Sequence, residues 1–148
     1  MRIQAYEDKY LTETMTMIKE CILAVNQPDY SPQQVKVWAE LDPRRFQMRD
    51  DNHAFVMLSE EDAIIGFSDM DDAGYLDNMF VHKDYQGQGI ATRLLKHIEN
   101  SYAMDKITTY ASITAKPFFE RHGYQVVREN QAELRGEVFV NYYMEKLG

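Results

Sequence analysis

Residues 79 to 98, Met-Phe-Val-His-Lys-Asp-Tyr-Gln-Gly-Gln-Gly-Ile-Ala-Thr-Arg-Leu-Leu-Lys-His-Ile, carry an apolar strand through a glycine-rich turn directly into an amphipathic helix. That layout is a phosphate cradle. Gly87 and Gly89 permit positive φ and close ligand approach, so successive N–H groups can converge on one anion. The helix beginning near Ile90 adds its unpaired N-terminal donors and the positive end of its dipole.

Two common phosphate motifs do not fit. A dinucleotide fingerprint needs a third glycine where this chain has Thr92, and a P-loop needs a G-K-[ST] triplet, which occurs nowhere in it. Gln86-Gly87-Gln88-Gly89-Ile90-Ala91 instead resembles the Q/R-x-x-G-x-G/A signature of the GCN5-related N-acetyltransferases, whose loop holds the pyrophosphate of acyl-coenzyme A. The preceding run from Leu76 to Val81 and the trailing Leu94, Leu95 and Ile98 resemble that family too. A second block, Ala111 to Tyr124, is similar to its N-x-x-A-x-x-F/Y-Y-E-x-x-G-F/Y segment. More narrowly, Ser31-Pro32-Gln33-Gln34 with Trp38-Ala39, the Ser112 to Gly123 block and the ending around Tyr142-Tyr143-Met144 resemble the bacterial YafP-like branch.

The bulk properties frame a single domain spanning residues 1 to 148, with 45% hydrophobic residues, four prolines and seven glycines. No run of about 18 apolar residues and no basic-then-apolar leader pattern is present, so a cytoplasmic chain without a membrane partner is expected. The net charge of −8 argues against nucleic acid as a partner, because phosphate neutralisation needs a basic face. Lys83, Arg93 and Lys96 surround the glycine turn, however, and local charge counts for more than the total under physiological screening. Glu60 to Asp77 holds seven acidic residues and no basic one, which reads either as solvated hairpin turns or as an acidic mouth attracting cationic amines. The lone Cys21, on the inner face of a helix, is expected to be a buried, unreactive thiol.

Periodicity yields an order of elements. Arg2 to Tyr6 suits a strand, Leu11 to Val25 an amphipathic helix, and Ser31-Pro32 opens a second helix running to about Leu41. Strands follow at His53 to Ser59, Ala63 to Met70 and Tyr75 to Val81, then the glycine turn and a helix to Tyr102. A strand at Ile107 to Ala111 and a short helix from Ala115 to His122, closed by Gly123, precede a hairpin of Tyr124 to Glu133 and Glu137 to Lys146. The fold class is therefore α/β (α+β). The resemblance implies the acyl-coenzyme A N-acyltransferase fold: a mixed twisted sheet of about seven strands and four helices, with one parallel strand pair splayed apart to admit the pantetheine arm. The terminal hairpin either caps the core or pairs across a homodimer.

An acyl transfer from a thioester to an amine needs a base, because a primary amine titrates near about 10.4 and is mostly charged at neutral pH. Asp77, in strand parity with Met79 and Val81, is the candidate, acting directly or through water. The resemblance implies acetyl-coenzyme A as co-substrate, held by Met79, Phe80, Val81, the loop Gln86, Gly87, Gln88, Gly89, Ile90, Ala91 and Thr92, and by Ser112 and Phe119. It also implies oxyanion donors at the Phe80 or Val81 backbone N–H. Where many relatives have a tyrosine acid this chain has Phe119, and where they have its asparagine partner it has Ser112. Ser112, Tyr110, Tyr142 and Tyr143 are the alternatives for that acid. Tyr30, Trp38 and His53 occupy the region where the fold builds acceptor specificity, for a small-molecule or peptide amine. His53, His82, His97 and His122 lack metal-ligand spacing, so no metal is expected. The alternative to an enzyme is an acyl-coenzyme A sensor with little catalysis, motivated by Phe119.

Overall fold

The computed structural model describes all 148 residues. Strand β1 (Arg2–Ala5) leads into helix α1 (Leu11–Cys21), whose Thr14, Met17, Ile18 and Cys21 are buried at helical spacing. The expected continuation to Val25 is a π-helical turn, Ile22–Asn26, so the last turn before the break is widened rather than regular. Helix α2 (Pro32–Trp38) is shorter than expected. It starts with a capping box, in which Ser31 Oγ accepts from Gln34 N and Gln34 Oε1 accepts from Ser31 N. A 3-10 turn at Pro43–Phe46 follows and buries Phe46.

Strands β2 (Asn52–Leu58), β3 (Ile64–Asp71) and β4 (Tyr75–Val81) form an antiparallel meander. Helix α3 (Ile90–Ser101) buries Ile90, Leu94, Leu95 and Ile98, the stripe that its sequence periodicity predicts. Strand β5 (Lys106–Ser112), helix α4 (Lys116–Arg121) and the long hairpin β6 (Gln125–Leu134) and β7 (Glu137–Leu147) complete the chain. The seven strands form one sheet in the order β1-β2-β3-β4-β5-β7-β6. One face packs on α1 and α2 through Ile18, Ile22, Val35 and Phe67, the other on α3 and α4 through Leu76, Leu95, Ile98 and Phe119.

The one parallel pairing, β4 with β5, lasts two residues, Tyr75↔Thr108 and Leu76↔Thr109. Thr109 Oγ1 donates to the Leu76 carbonyl at 2.8 Å and marks the vertex. Beyond it the strands separate, leaving Asp77–Val81 and Tyr110–Ser112 as the two banks of a gap.

A bulge in β4 sits at that vertex. The register passes from Asp69↔Asn78 to Met70↔Leu76, so Asp77 has no cross-strand partner. The expected parity of Asp77 with Met79 and Val81 is therefore broken. Met79 packs toward α3 with Leu94 and Leu95, whereas Asp77 turns to the other face and meets Arg45 of the 3-10 turn.

Candidate active site

The gap opens into a cleft of about 780 Å³ that runs from the glycine turn, between β4 and β5, to the β6–β7 hairpin. At its first end, Gly87 and Gly89 have φ of +73° and +79°, and space is open where a Cβ would stand on either. These glycines serve conformation, not crowding. None of the main-chain N–H groups from Gly87 to Thr92 donates to another protein group, so six consecutive amides at this end of the cleft are without protein partners. Gln86 instead folds back, its Nε2 donating to the Val81 carbonyl at 2.7 Å and bracing the loop against the end of β4.

Thr92 is tied to α4. His122 Nδ1 lies 2.9 Å from the Phe118 carbonyl, an acceptor, so Nδ1 carries the proton and Nε2 accepts from Thr92 Oγ1 at 3.1 Å. Gln86, Gly87, Gly89, Ile90, Ala91 and Thr92 all line the cleft. Gln88 is exposed and outside its wall, leaving only its amide for the loop. The basic residue on the wall at this end is Arg121, not Lys83, Arg93 or Lys96.

Along the gap, the alternation of an antiparallel ladder decides which amides are available. His82 N donates to Ile65 O at 2.9 Å, so by period two Phe80 turns its own N–H toward Phe67 of β3, and Met79 and Val81 face the gap. Of the two expected oxyanion donors, Val81 has the usable direction. The Val81 N–H lies against Cys21 and draws that thiol's pKa down, but burial dominates and pushes it up to about 11. Cys21 is thus the inert, buried thiol that the sequence implied.

Asp77 is two-thirds covered and hydrogen-bonded on several sides. Its Oδ2 accepts from Arg45 Nη2 at 3.0 Å, and its Oδ1 lies 3.4 Å from Tyr75 Oη. Burial, joined by the Asp77 charge, pushes the Tyr75 phenol above its ordinary range. Beneath them Asp69 is 1% exposed; burial first and the Asp77 charge second raise its pKa to about 6.

The other expected residues divide. Tyr110 lines the cleft between Tyr75 and Tyr143, with Arg128 Nη2 donating to its Oη at 3.3 Å. The Ser112 hydroxyl accepts from Ala115 N at 3.1 Å and stands beside the Tyr30 hydroxyl. Tyr142 and Tyr143 lie outside the wall. Phe119 is 2% exposed and packs edge-on against Tyr124, a core residue whose edge reaches the cleft floor. Tyr30 accepts from the Ile113 N–H at 2.8 Å, which bolts the α1–α2 connection onto the end of β5. Its ring meets Trp38 at 5.3 Å, and both line the cleft with Phe80 and Phe139.

His53 is a correction. It stacks on Tyr102 at 4.2 Å, its Nε2 is 2.7 Å from Asp72 Oδ1, and it lines a separate cavity of about 210 Å³. The sheet order explains this, since β3 and β4 stand between β2 and the gap. The acidic mouth is likewise absent: Glu60 to Asp62 and Asp71 to Asp72 cap opposite ends of the meander, Asp69 is buried, and Asp77 alone of the seven reaches the cleft. The sequence offered no signal for Arg45, Tyr75, Asn130, Glu133 or Asn141, which also stand on the wall.

A split parallel pair below a glycine-rich helix N-terminus, with an acid at the vertex, is the arrangement of an acyltransferase of the type the motifs resemble. The model of the acetyltransferase (GNAT) domain matches residues 26–146, and the chain belongs to that family of N-acetyltransferases. It is 32% identical over 145 residues, 97% of this chain and 94% of the other, to the uncharacterized N-acetyltransferase YafP of Escherichia coli strain K12. The crystal structure of a GCN5-related N-acetyltransferase from Rhodopseudomonas palustris superposes with a TM-score of 0.90 at 24% identity, covering 99% of this chain and 95% of that one. The PaiA N-acetyltransferase of Thermoplasma acidophilum, solved with coenzyme A, superposes at 0.72 with 15% identity over the full length of both chains. No helix here is long and apolar enough to cross a membrane.

Proposed function

We propose that this protein transfers an acetyl group from acetyl-coenzyme A to a primary amine by direct attack. The observation that carries the reading is the run of six unpartnered amides from Gly87 to Thr92 at the foot of the split between β4 and β5. Those amides suit a pyrophosphate. The gap-facing N–H and C=O groups of Met79 suit the amides of a pantetheine arm, which would stand in for a neighbouring strand. That the Thermoplasma acidophilum relative in fold was solved with coenzyme A agrees with this.

Acetyl-coenzyme A supplies the activated acyl group. Asp77, reaching the vertex from the bulge, takes a proton from the incoming ammonium and passes it to solvent. The Val81 N–H stabilises charge on the carbonyl oxygen, a contribution worth roughly 3 kcal/mol in other acyl-transfer enzymes. The amine nitrogen bonds to the acyl carbon as the C–S bond breaks, and the sulfur takes up the amine's second proton. With Phe119 in the core, a tyrosine hydroxyl at that position is not available for this protonation, and a thiol of pKa about 8.5 needs it little.

The test is isothermal titration with acetyl-coenzyme A, followed by release of free thiol against a panel of amines. Binding with turnover on an amine class is expected. Binding without turnover would favour an acyl-coenzyme A sensor, and absence of binding would remove the reading altogether.

A further inference from the structure

The acceptor end of the cleft contains an ion pair that folding does not need. Arg45 and Asp77 meet through one nitrogen and one oxygen at 3.0 Å, with the Arg45 side chain 62% exposed, a kind of pair that contributes little to stability. The Arg45 Nε and Nη1 have no protein acceptor, so neither guanidinium edge is used in a two-point contact, and release of Nη2 from Asp77 would free both edges for a carboxylate. Arg45 is also the one cation at this end, because Arg121 stands near the glycine turn. Trp38, Phe80 and Phe139 form an apolar cluster on the wall of the same cleft.

We propose that Arg45 and Asp77 together recognise the zwitterionic head of an α-amino acid with an apolar or aromatic side chain, and that such amino acids are the acceptor class. This rests on the acyl-transfer reading above. The acceptor's ammonium takes the place of Arg45 beside Asp77, its carboxylate takes the place of Asp77 on Arg45, and one protein ion pair is exchanged for two with the ligand. The side chain lies on the aromatic wall. The transfer then yields an N-acetyl amino acid: the N–C bond forms and the C–S bond breaks. One ammonium proton leaves through Asp77 to solvent and the other goes to the coenzyme A sulfur. A polyamine gains nothing from the same site, since Arg45 repels its second cation.

The experiment compares kcat/KM for L-phenylalanine with 2-phenylethylamine, and for L-leucine with 3-methylbutylamine, each pair differing only in the carboxylate; spermidine is included. The native protein is expected to favour the amino acid of each pair by roughly tenfold or more, the worth of one charge-assisted contact. Arg45→Gln is expected to bring that ratio toward one, through KM more than kcat, and Arg45→Lys to leave it in between. Arg44→Gln, whose guanidinium is held by Asp42 outside the cleft, is expected to keep the native ratio. Equal use of acid and amine, preference for spermidine, or a ratio unmoved by Arg45→Gln overturns the proposal while acetyl transfer stands. No transfer to any of these amines overturns this inference, while the acyl-transfer reading falls only if the wider amine panel also shows no turnover by a protein that binds acetyl-coenzyme A.

Discussion

The Asp69 carboxylate replaces a main-chain acceptor for Asn78: its Oδ1 accepts the Asn78 backbone N–H at 2.9 Å and the Asn78 side-chain amide at 3.1 Å. Its Oδ2 accepts from Asn52 at 3.1 Å. The strand deviates at this point, with Asp77 as the extra residue, so a buried carboxylate fixes the bulge that aims the candidate base.

Burial raises the folded-state pKa of Asp69 to about 6 from 3.8. A raised carboxylate contributes stability that is fully present below the unfolded value and is lost as pH climbs through the folded one, here between about 4 and 6. The span corresponds to roughly 3 kcal/mol. Asp69→Asn cannot titrate, so its melting temperature relative to the native protein is expected to rise from pH 4 to pH 7. A difference that stays flat across that window would show that Asp69 titrates normally.

Asp77→Asn is expected to lower kcat by roughly 10²- to 10⁴-fold, the range for loss of a general base. Calorimetry should give the native affinity for acetyl-coenzyme A, because none of the Gly87 to Thr92 amides is bonded to Asp77. Loss of binding together with rate would mean that the residue holds the cleft open instead.

Gly89→Ala forces a side chain into φ +79° at the N-cap of α3, although nothing stands within 4 Å of its Cβ. The cost is conformational, about 1 kcal/mol in a thermal melt. Relief of that strain would turn the amides away, so affinity for acetyl-coenzyme A is expected to fall more than stability does.

Cys21, 4% exposed and held protonated by burial, is expected to resist a thiol reagent at pH 8 in the folded protein and to react at once in denaturant. Rapid labelling of the native form would contradict the packing of the π turn around it.

Much of this architecture is legible in the chain because local rules and tertiary demands agree. The stripe Ile90, Leu94, Leu95 and Ile98 is helical by spacing and buried in fact, and the Ser31–Gln34 capping box starts α2 where Ser31-Pro32 predicts. The glycine turn was legible for the same reason: its chemistry is backbone chemistry within seven consecutive residues. The facing that the sequence predicts for Asp77 is wrong, since a bulge inserts one residue and a strict period of two cannot register it.

By itself, then, the sequence determined the order of elements, the amide cradle and the family to which they belong, all of which depend on neighbours within a few positions. Only the tertiary structure decided which distant residues meet around the cleft. It brought Arg45 across 32 positions to Asp77, bolted Tyr30 to Ile113 across 83, and put His53 behind two strands. Contacts at such separation follow from sheet order and from where a loop crosses it, and no local periodicity encodes either.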